Sequence, residues 1–192
     1  GVNMTIGQTI KINTGTGLIK SYDELKLVKF TDPILKKIPE KFDFSNPQVN
    51  TLYLASSMFH TMFKNKGLGL SANQAGYSLS VFTVGLDDSN KQIFFNPRIV
   101  EVAKETEETI EGCLSYPNLF LKIKRPKWVV IEWQHVDGKS NQRRYEGLTA
   151  RVILHEMDHQ NGSNFTKLAG KTSLMLAKKK VNKINKNKVI SA

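Results

Sequence analysis

Cysteine is almost absent from this chain: its 192 residues include one, Cys113. A single thiol closes no internal disulfide, which excludes the disulfide-stapled secreted scaffolds and favours a reducing, cytoplasmic compartment. There is no run of about 18 apolar residues and no charged-then-apolar leader, so neither a membrane span nor a secretory signal is expected. Gly1-Val2-Asn3 ahead of Met4 reads as a tag scar with no bearing on the fold. Acidic residues are few, 17 against 28 Lys and Arg, and the net charge of +11 is unevenly placed. Between Gln160 and Ala192 there are eight lysines and no acid, so most of the excess sits in one tail. That placement makes an anionic partner worth considering and says little about the fold. With 40% hydrophobic residues, the chain has apolar material for one domain of ordinary size, expected to be a monomer.

What is present is His155-Glu156-Met157-Asp158-His159, inside a stretch bounded by Gly147 and Gly162. On an α-helix, residues four apart project from one face about one turn apart, so both imidazoles can reach one metal ion. Glu156 then flanks that metal, placed to take a proton from a metal-bound water. Helical spacing supports this: Leu148, Val152, His155 and His159 form one stripe, while Ala150, Ile153, Leu154 and Met157 form the opposite one. The same pattern also suits a core helix with two satisfied histidines. Beyond His159 the chain has no Asp, Glu, His or Cys, which excludes the downstream third ligand common in zinc peptidases. Upstream, His60, His135, Cys113 and ordinary carboxylates have suitable donor chemistry. Cys113, in Glu111-Gly112-Cys113-Leu114-Ser115, would as a thiolate complete a Cys/His/His set with one open position, as a catalytic metal needs.

Three stretches are expected along the chain: an N-terminal extension over 1–24, a body over 25–165 and a basic tail over 166–192. From Leu25 a short strand is predicted, followed by a turn at Asp32-Pro33. A helix is predicted from Asn46-Pro47 to about Lys66, on the spacing of Leu52, Ala55, Met58, Phe59, Met62 and Phe63. His60 inside it, and His135 on a later strand, read as structural. Gly67 to Gly76 is a small-residue loop that exposes backbone N–H groups and ends on the long amide of Gln74; it is no phosphate loop, lacking Gly-Lys-Ser/Thr. Val81 to Leu86 and Gln92 to Phe95 predict a hairpin, and Val100 to Ile110 and Trp128 to Val136 predict further strands, the last turning at Asp137-Gly138. The order suggests an α+β fold, with antiparallel or mixed sheets wrapped around a central HExxH helix. From about Thr172, Leu174, Ala177, Val181 and Ile184 recur at helical spacing among lysines, predicting an amphipathic basic helix. It either packs by its apolar stripe with a solvated lysine face or, in addition, docks on RNA, with ribosomal RNA the expected partner.

Taken together, Gly67 to Gln74, Glu111 to Ser115 and Leu154 to His159 resemble, in the same order, the three motifs of the peptide deformylase family. Phe30-Thr-Asp-Pro-Ile-Leu35 is similar to that family's first strand and turn, so the resemblance covers roughly residues 25 to 165. It implies a bacterial-type hydrolase that removes the formyl group from the N-terminal formylmethionine of nascent chains, using Fe(II) or Zn(II). Carried onto matching positions, Cys113, His155 and His159 bind the metal, and metal-bound water attacks the formyl carbon with Glu156 as general base and acid. Gln74 and the backbone N–H of Leu114 donate to the oxyanion, and Gly69 pairs with the substrate backbone. Leu148 and Val152 line a methionine pocket, while Arg151 contacts substrate or pairs with Asp158.

Three positions depart from the family pattern: Ser71 stands for alanine, Leu154 for the glutamine before the first histidine, and Gln160 for the leucine after the second. None removes a ligand. Two other readings compete. A zinc endopeptidase would keep the histidines and Glu156 but leave Cys113 idle, and a non-enzymatic RNA-binding protein would use the metal only as a staple.

Overall fold

The computed structural model describes residues 21–191, so most of the expected N-terminal extension, residues 1–20, lies outside the described residues. Helix α1 (Thr51–Lys64) starts where Asn50 Oδ1 accepts the Tyr53 N–H, satisfying one of the amides a helix start leaves unpaired. The expected start at Asn46-Pro47 is too early, because the Asp43 carboxylate gathers the amides of Ser45 and Asn46 into a turn. Leu54, Ala55, Met58 and Met62 of α1 are buried with Phe42, Leu70, Val81 and Phe95. The strand expected from Leu25 is not formed. Instead this segment runs along α1, and the N–H groups of Asp23 and Leu25 end on Ser57 Oγ and Thr61 Oγ1 rather than on a neighbouring strand. The turn at Asp32-Pro33 is present as a short 3-10 turn capped by Asp32.

Two antiparallel sheets follow. One has five strands, β1 (Gly69–Ser71), β2 (Val81–Gly85), β3 (Lys91–Val102), β6 (Trp128–Gln134) and β7 (Ser140–Glu146), in the order β1-β2-β3-β6-β7. The other pairs β4 (Thr106–Cys113) with β5 (Tyr116–Pro126). The predicted hairpin is β2 and β3, with Val81 opposite Phe95 and Gly85 opposite Lys91. The single strand expected over Val100 to Ile110 is instead two strands of different sheets, ending at Val102 and restarting at Thr106. Ala103, buried between them, donates its N–H to Trp128 O at 3.0 Å and fixes the crossing. β5 and β7 escape the sequence reading. β7 is exposed and polar apart from the half-buried Tyr145, and the buried positions of β5, Leu119, Leu121 and Ile123, are followed in phase by an arginine, Arg125.

Helix α2 (Gly147–Gln160) buries Ala150 and Ile153 against Phe82, Val129, Ile131 and Trp133 of the large sheet. It also meets β5, so both sheets touch it. Its end is a left-handed turn: Gly162 at φ 69 lets Ser163 N–H reach Asp158 O and Gly162 N–H reach His159 O. A side chain there would run into Lys36 O, 2.7 Å from an added Cβ, so α2 stops and the chain turns back. Helix α3 (Lys171–Ser191) lays Leu174, Ala177 and Val181 over Leu119, Leu121, Ile123 and Phe165. Ile184, expected in the same stripe, is 38% exposed, past the last residue that meets this cluster. The result is an α+β fold with three α-helices among the described residues, none long and apolar enough to cross a membrane.

Candidate active site and metal centre

Helix α2 carries His155 and Glu156 on the side that lines the cleft, with His159 one turn further on, and β4 delivers Cys113 to them. A register irregularity between Glu111 and Cys113 redirects the strand end, as bulges beside functional sites do. Cys113 Sγ and one nitrogen from each of His155 and His159 lie within 4.8 Å of one another, with Sγ 3.4 Å from His159 Nε2. This is the one such cluster among the described residues. His60 instead packs tilted against Tyr22, with ring centres 4.9 Å apart, and His135 sits 3.0 Å from Asn141 Nδ2, so neither joins it.

An ionic cluster supports the first histidine. His155 Nδ1–H donates to Glu111 Oε1 at 2.9 Å, a direction set by the carboxylate, which can only accept. Glu111 also accepts two bonds from Arg125, both at 2.8 Å, and one from Arg151 at 2.6 Å. Burial alone would push the Glu111 carboxyl up, but the hydrogen bonds from Arg125 and His155 and the Arg125 charge hold it at about 2. His155 is pulled down by burial, yet its hydrogen bonds to Cys113 and Glu111 prevail and push it up to about 10. Asp158 pairs with Arg125 at 2.9 Å and not with Arg151, correcting the pairing considered from sequence. Arg151 is committed to Glu111 and to the carbonyls of Ile123 and Glu107, bracing β4 against β5.

The hydrogen bonds around the second histidine's backbone are between uncharged groups. Asn73 Nδ2 donates to His159 O at 3.0 Å, and Gln160 Nε2 donates to Ser71 Oγ at 2.6 Å, all four residues being buried. Burial and the positive charges of His155 and Arg125 push His159 down to about 3, leaving its ring neutral. The buried carboxamide of Gln74 accepts Ser71 N–H at 2.8 Å and turns its Nε2 toward Ser115 Oγ at 3.1 Å and Cys113 Sγ at 3.4 Å.

Both sides open on one cleft of about 560 Å³, lined by Gly69, Gln74, Cys113, Leu114, Leu148, Arg151, Val152, His155 and Glu156 among others. His159 lies behind it. Leu148 stands half-exposed at the rim, with Val152 deeper. Glu156 is buried with Oε1 unpartnered, and burial pushes its carboxyl up to about 7 against the pull of His155 and Arg125. Gly69 crosses directly over it: an added Cβ would lie 2.7 Å from Val152 Cγ1 and 3.0 Å from Glu156 Oε2. Every site residue expected from sequence except His159 therefore lines this cleft, and His159 completes the donor cluster behind it. Arg125, Asn73 and Ser115 were missed. For Arg125 a signal existed, since it continues the every-second-residue pattern of Leu119, Leu121 and Ile123.

The donors fit a divalent metal. A thiol and two imidazoles converge, one imidazole with its second nitrogen oriented by a carboxylate, as metal-bound histidines usually have. Coordination requires neutral imidazoles, so His159 is ready and His155 would release its proton on binding.

The chain matches the family model for polypeptide deformylase over residues 24–173. It is 33% identical over 162 residues to the peptide deformylase of Acinetobacter baumannii strain SDF, covering 83% of this chain and 91% of that one. Its fold superimposes on the crystal structure of the Plasmodium falciparum enzyme with a TM-score of 0.77 at 31% identity, covering 84% of this chain and 96% of that one. A Met-Ala-Ser-bound Acinetobacter baumannii peptide deformylase gives 0.70 at 30% identity, covering 75% and 97%. Motifs, fold and relatives agree over most of the chain's length, and it belongs to the polypeptide deformylase family of enzymes.

Proposed function

We propose that the chain removes the formyl group from N-formylmethionyl peptides and nascent chains, releasing formate and a free amine. The observation that carries this is the meeting of the Cys113, His155 and His159 donor cluster, a buried carboxyl poised near neutrality and a buried carboxamide at one cleft. A structural relative bound to Met-Ala-Ser supports the peptide as ligand. Cys113, His155 and His159 hold one divalent ion, Fe(II) or Zn(II), under the two sheets that wrap α2. When bound, that ion supplies a Lewis acid that makes a water acidic enough to ionise near neutral pH.

The chain's own groups do the rest. Glu156, with a pKa near 7, takes the proton from the attacking water and returns it to the departing amine as the formyl C–N bond breaks. Gln74 Nε2 and the Leu114 N–H donate to the developing oxyanion, each contributing on the order of 3 kcal/mol in comparable sites. Gly69 offers its backbone to the peptide, and Leu148 and Val152 form the apolar wall for the methionine side chain, with Arg151 beside it. The body over 25–165 is the catalytic unit, working in the cytoplasm as a monomer. The lysine face of α3 contacts ribosomal RNA, a reading motivated by the charge of the tail and tested by co-sedimentation with ribosomes across a salt series.

Anaerobic formate release from formyl-Met-Ala-Ser tests the assignment. Wild type releases formate, Glu156→Ala keeps its metal but is inactive, and Cys113→Ala loses metal. Metal-loaded wild type that releases none would overturn the substrate.

A further inference from the structure

Gln160 is the last residue of α2 and is not among the residues that line the cleft. Its side chain is nonetheless buried, and it spends its donor on Ser71 Oγ at 2.6 Å and, more weakly, on Val81 O at 3.3 Å. Ser71 is the residue whose own N–H grips Gln74 Oε1 at 2.8 Å. With its oxygen so held, the Gln74 carboxamide has one direction left for its Nε2, toward Ser115 Oγ and Cys113 Sγ. A second tie runs parallel, from Asn73 Nδ2 to His159 O. The end of the helix that carries the histidines is thus fastened twice to the segment that carries Gln74. Ser71 and Gln160 are also two of the three positions where the sequence departs from its family's pattern, and here they touch.

We infer that Gln160, through Ser71, is a positioning residue: it sets the Gln74 carboxamide relative to the Cys113 sulfur and so tunes the oxyanion donor. The inference rests on the deformylase reading for its effect on rate, but not for its effect on Cys113. A hydrogen bond from Gln74 withdraws electron density from the Cys113 thiolate, and that is visible in the thiolate-to-metal charge-transfer band of Co(II)-loaded protein.

The test compares Gln160→Met, near-isosteric but unable to donate, with Ser71→Ala, with the double variant and with Gln74→Met, each loaded with Co(II). In Gln160→Met and Ser71→Ala the band shifts in the direction seen for Gln74→Met, by less. With formyl-Met-Ala-Ser as substrate, kcat falls roughly tenfold while KM stays within about twofold, as for a donor used chiefly in the transition state. The double variant is no worse than either single one, because both act through one chain of contacts. It also leaves neither a hydroxyl nor a carboxamide unpaired, so it carries the same readouts if a single variant does not fold. A lowered Tm with band and kcat unchanged would reduce the contact to packing and overturn the inference. Were wild type to release no formate, the deformylase reading would fall while the band still decided the positioning.

Discussion

His155 and His159 lie one turn apart on α2, yet opposite chemistries hold them. The first leans on a buried carboxylate that two arginines neutralise, drawn from β4, β5 and α2 itself. The second has no such carboxylate: its ring Nδ1 is buried without a hydrogen-bond partner, and the uncharged contacts nearby run from Asn73 to its backbone carbonyl and from its neighbour Gln160 to Ser71. The difference comes from the elements that each side must bind together. On the first, two strands of the small sheet and a helix each bring a charged side chain to one place, and Glu111 serves as their hub. On the second, β1 and the turn after it meet the end of α2 through Ser71, Asn73 and Gln160, none of which is charged. Charge orients strongly but fails badly when one partner is lost, whereas neutral bonds are weaker and fail singly.

Arg125→Met would test that contrast hardest. Stripping the cation from a buried cluster leaves Asp158 unpaired and Glu111 half-paired, at an expected cost of about 3–5 kcal/mol in chemical denaturation. A loss below about 1 kcal/mol would erase the distinction between the two sides. Gly69→Ala comes next and bypasses both supports, because the added methyl strikes Val152 and Glu156. If Glu156 transfers protons as proposed, displacing it by roughly 1 Å costs on the order of 10²-fold in kcat, expected here with metal content unchanged. Glu111→Gln keeps the shape of the hub but removes its charge. Metal affinity, read by chelator competition, falls about 10–100-fold. On the neutral side, Asn73→Ala costs about 1 kcal/mol in stability, with metal binding within a few-fold of wild type.

The smallest effect serves as a control outside both supports. The Tyr53 hydroxyl donates to Asp23 at 2.6 Å, and that bond, with burial, pushes its pKa from the ordinary 10.0 up to about 12. A raised folded-state pKa means the contribution is complete below pH 10 and is lost as pH rises through about 12. Wild type therefore destabilises slightly more than Tyr53→Phe across that window in thermal melts, the titration of His155 being common to both proteins.

The helix and the convergence of its two histidines were legible because four-residue spacing on a helix is a geometric statement that needs no tertiary knowledge. The β2–β3 hairpin was legible for the same reason, its alternation ending at a polar turn. What escaped was whatever depended on a distant partner. Arg125 is a core residue only because Glu111 and Asp158 arrive beside it from other elements, and β7 is a strand only because β6 offers it an edge. The segment from Leu25 has strand-like composition but no strand to pair with. Ser71 and Gln160, separated by most of the sheet in sequence, gave no hint that they meet.

The stripe that seats α3 has a practical consequence. Leu174, Ala177 and Val181 roof the same β5 side chains that precede Arg125, and the family match ends at residue 173, near the start of this helix. Deleting the tail would therefore uncover Leu119, Leu121 and Ile123 and disturb the strand that anchors the charged hub. A truncated enzyme that lost activity would say nothing about ribosomes. Replacing Lys178, Lys179 and Lys183 by glutamate keeps the roof in place and alters only its outer charge, and is the cleaner way to ask what that surface binds.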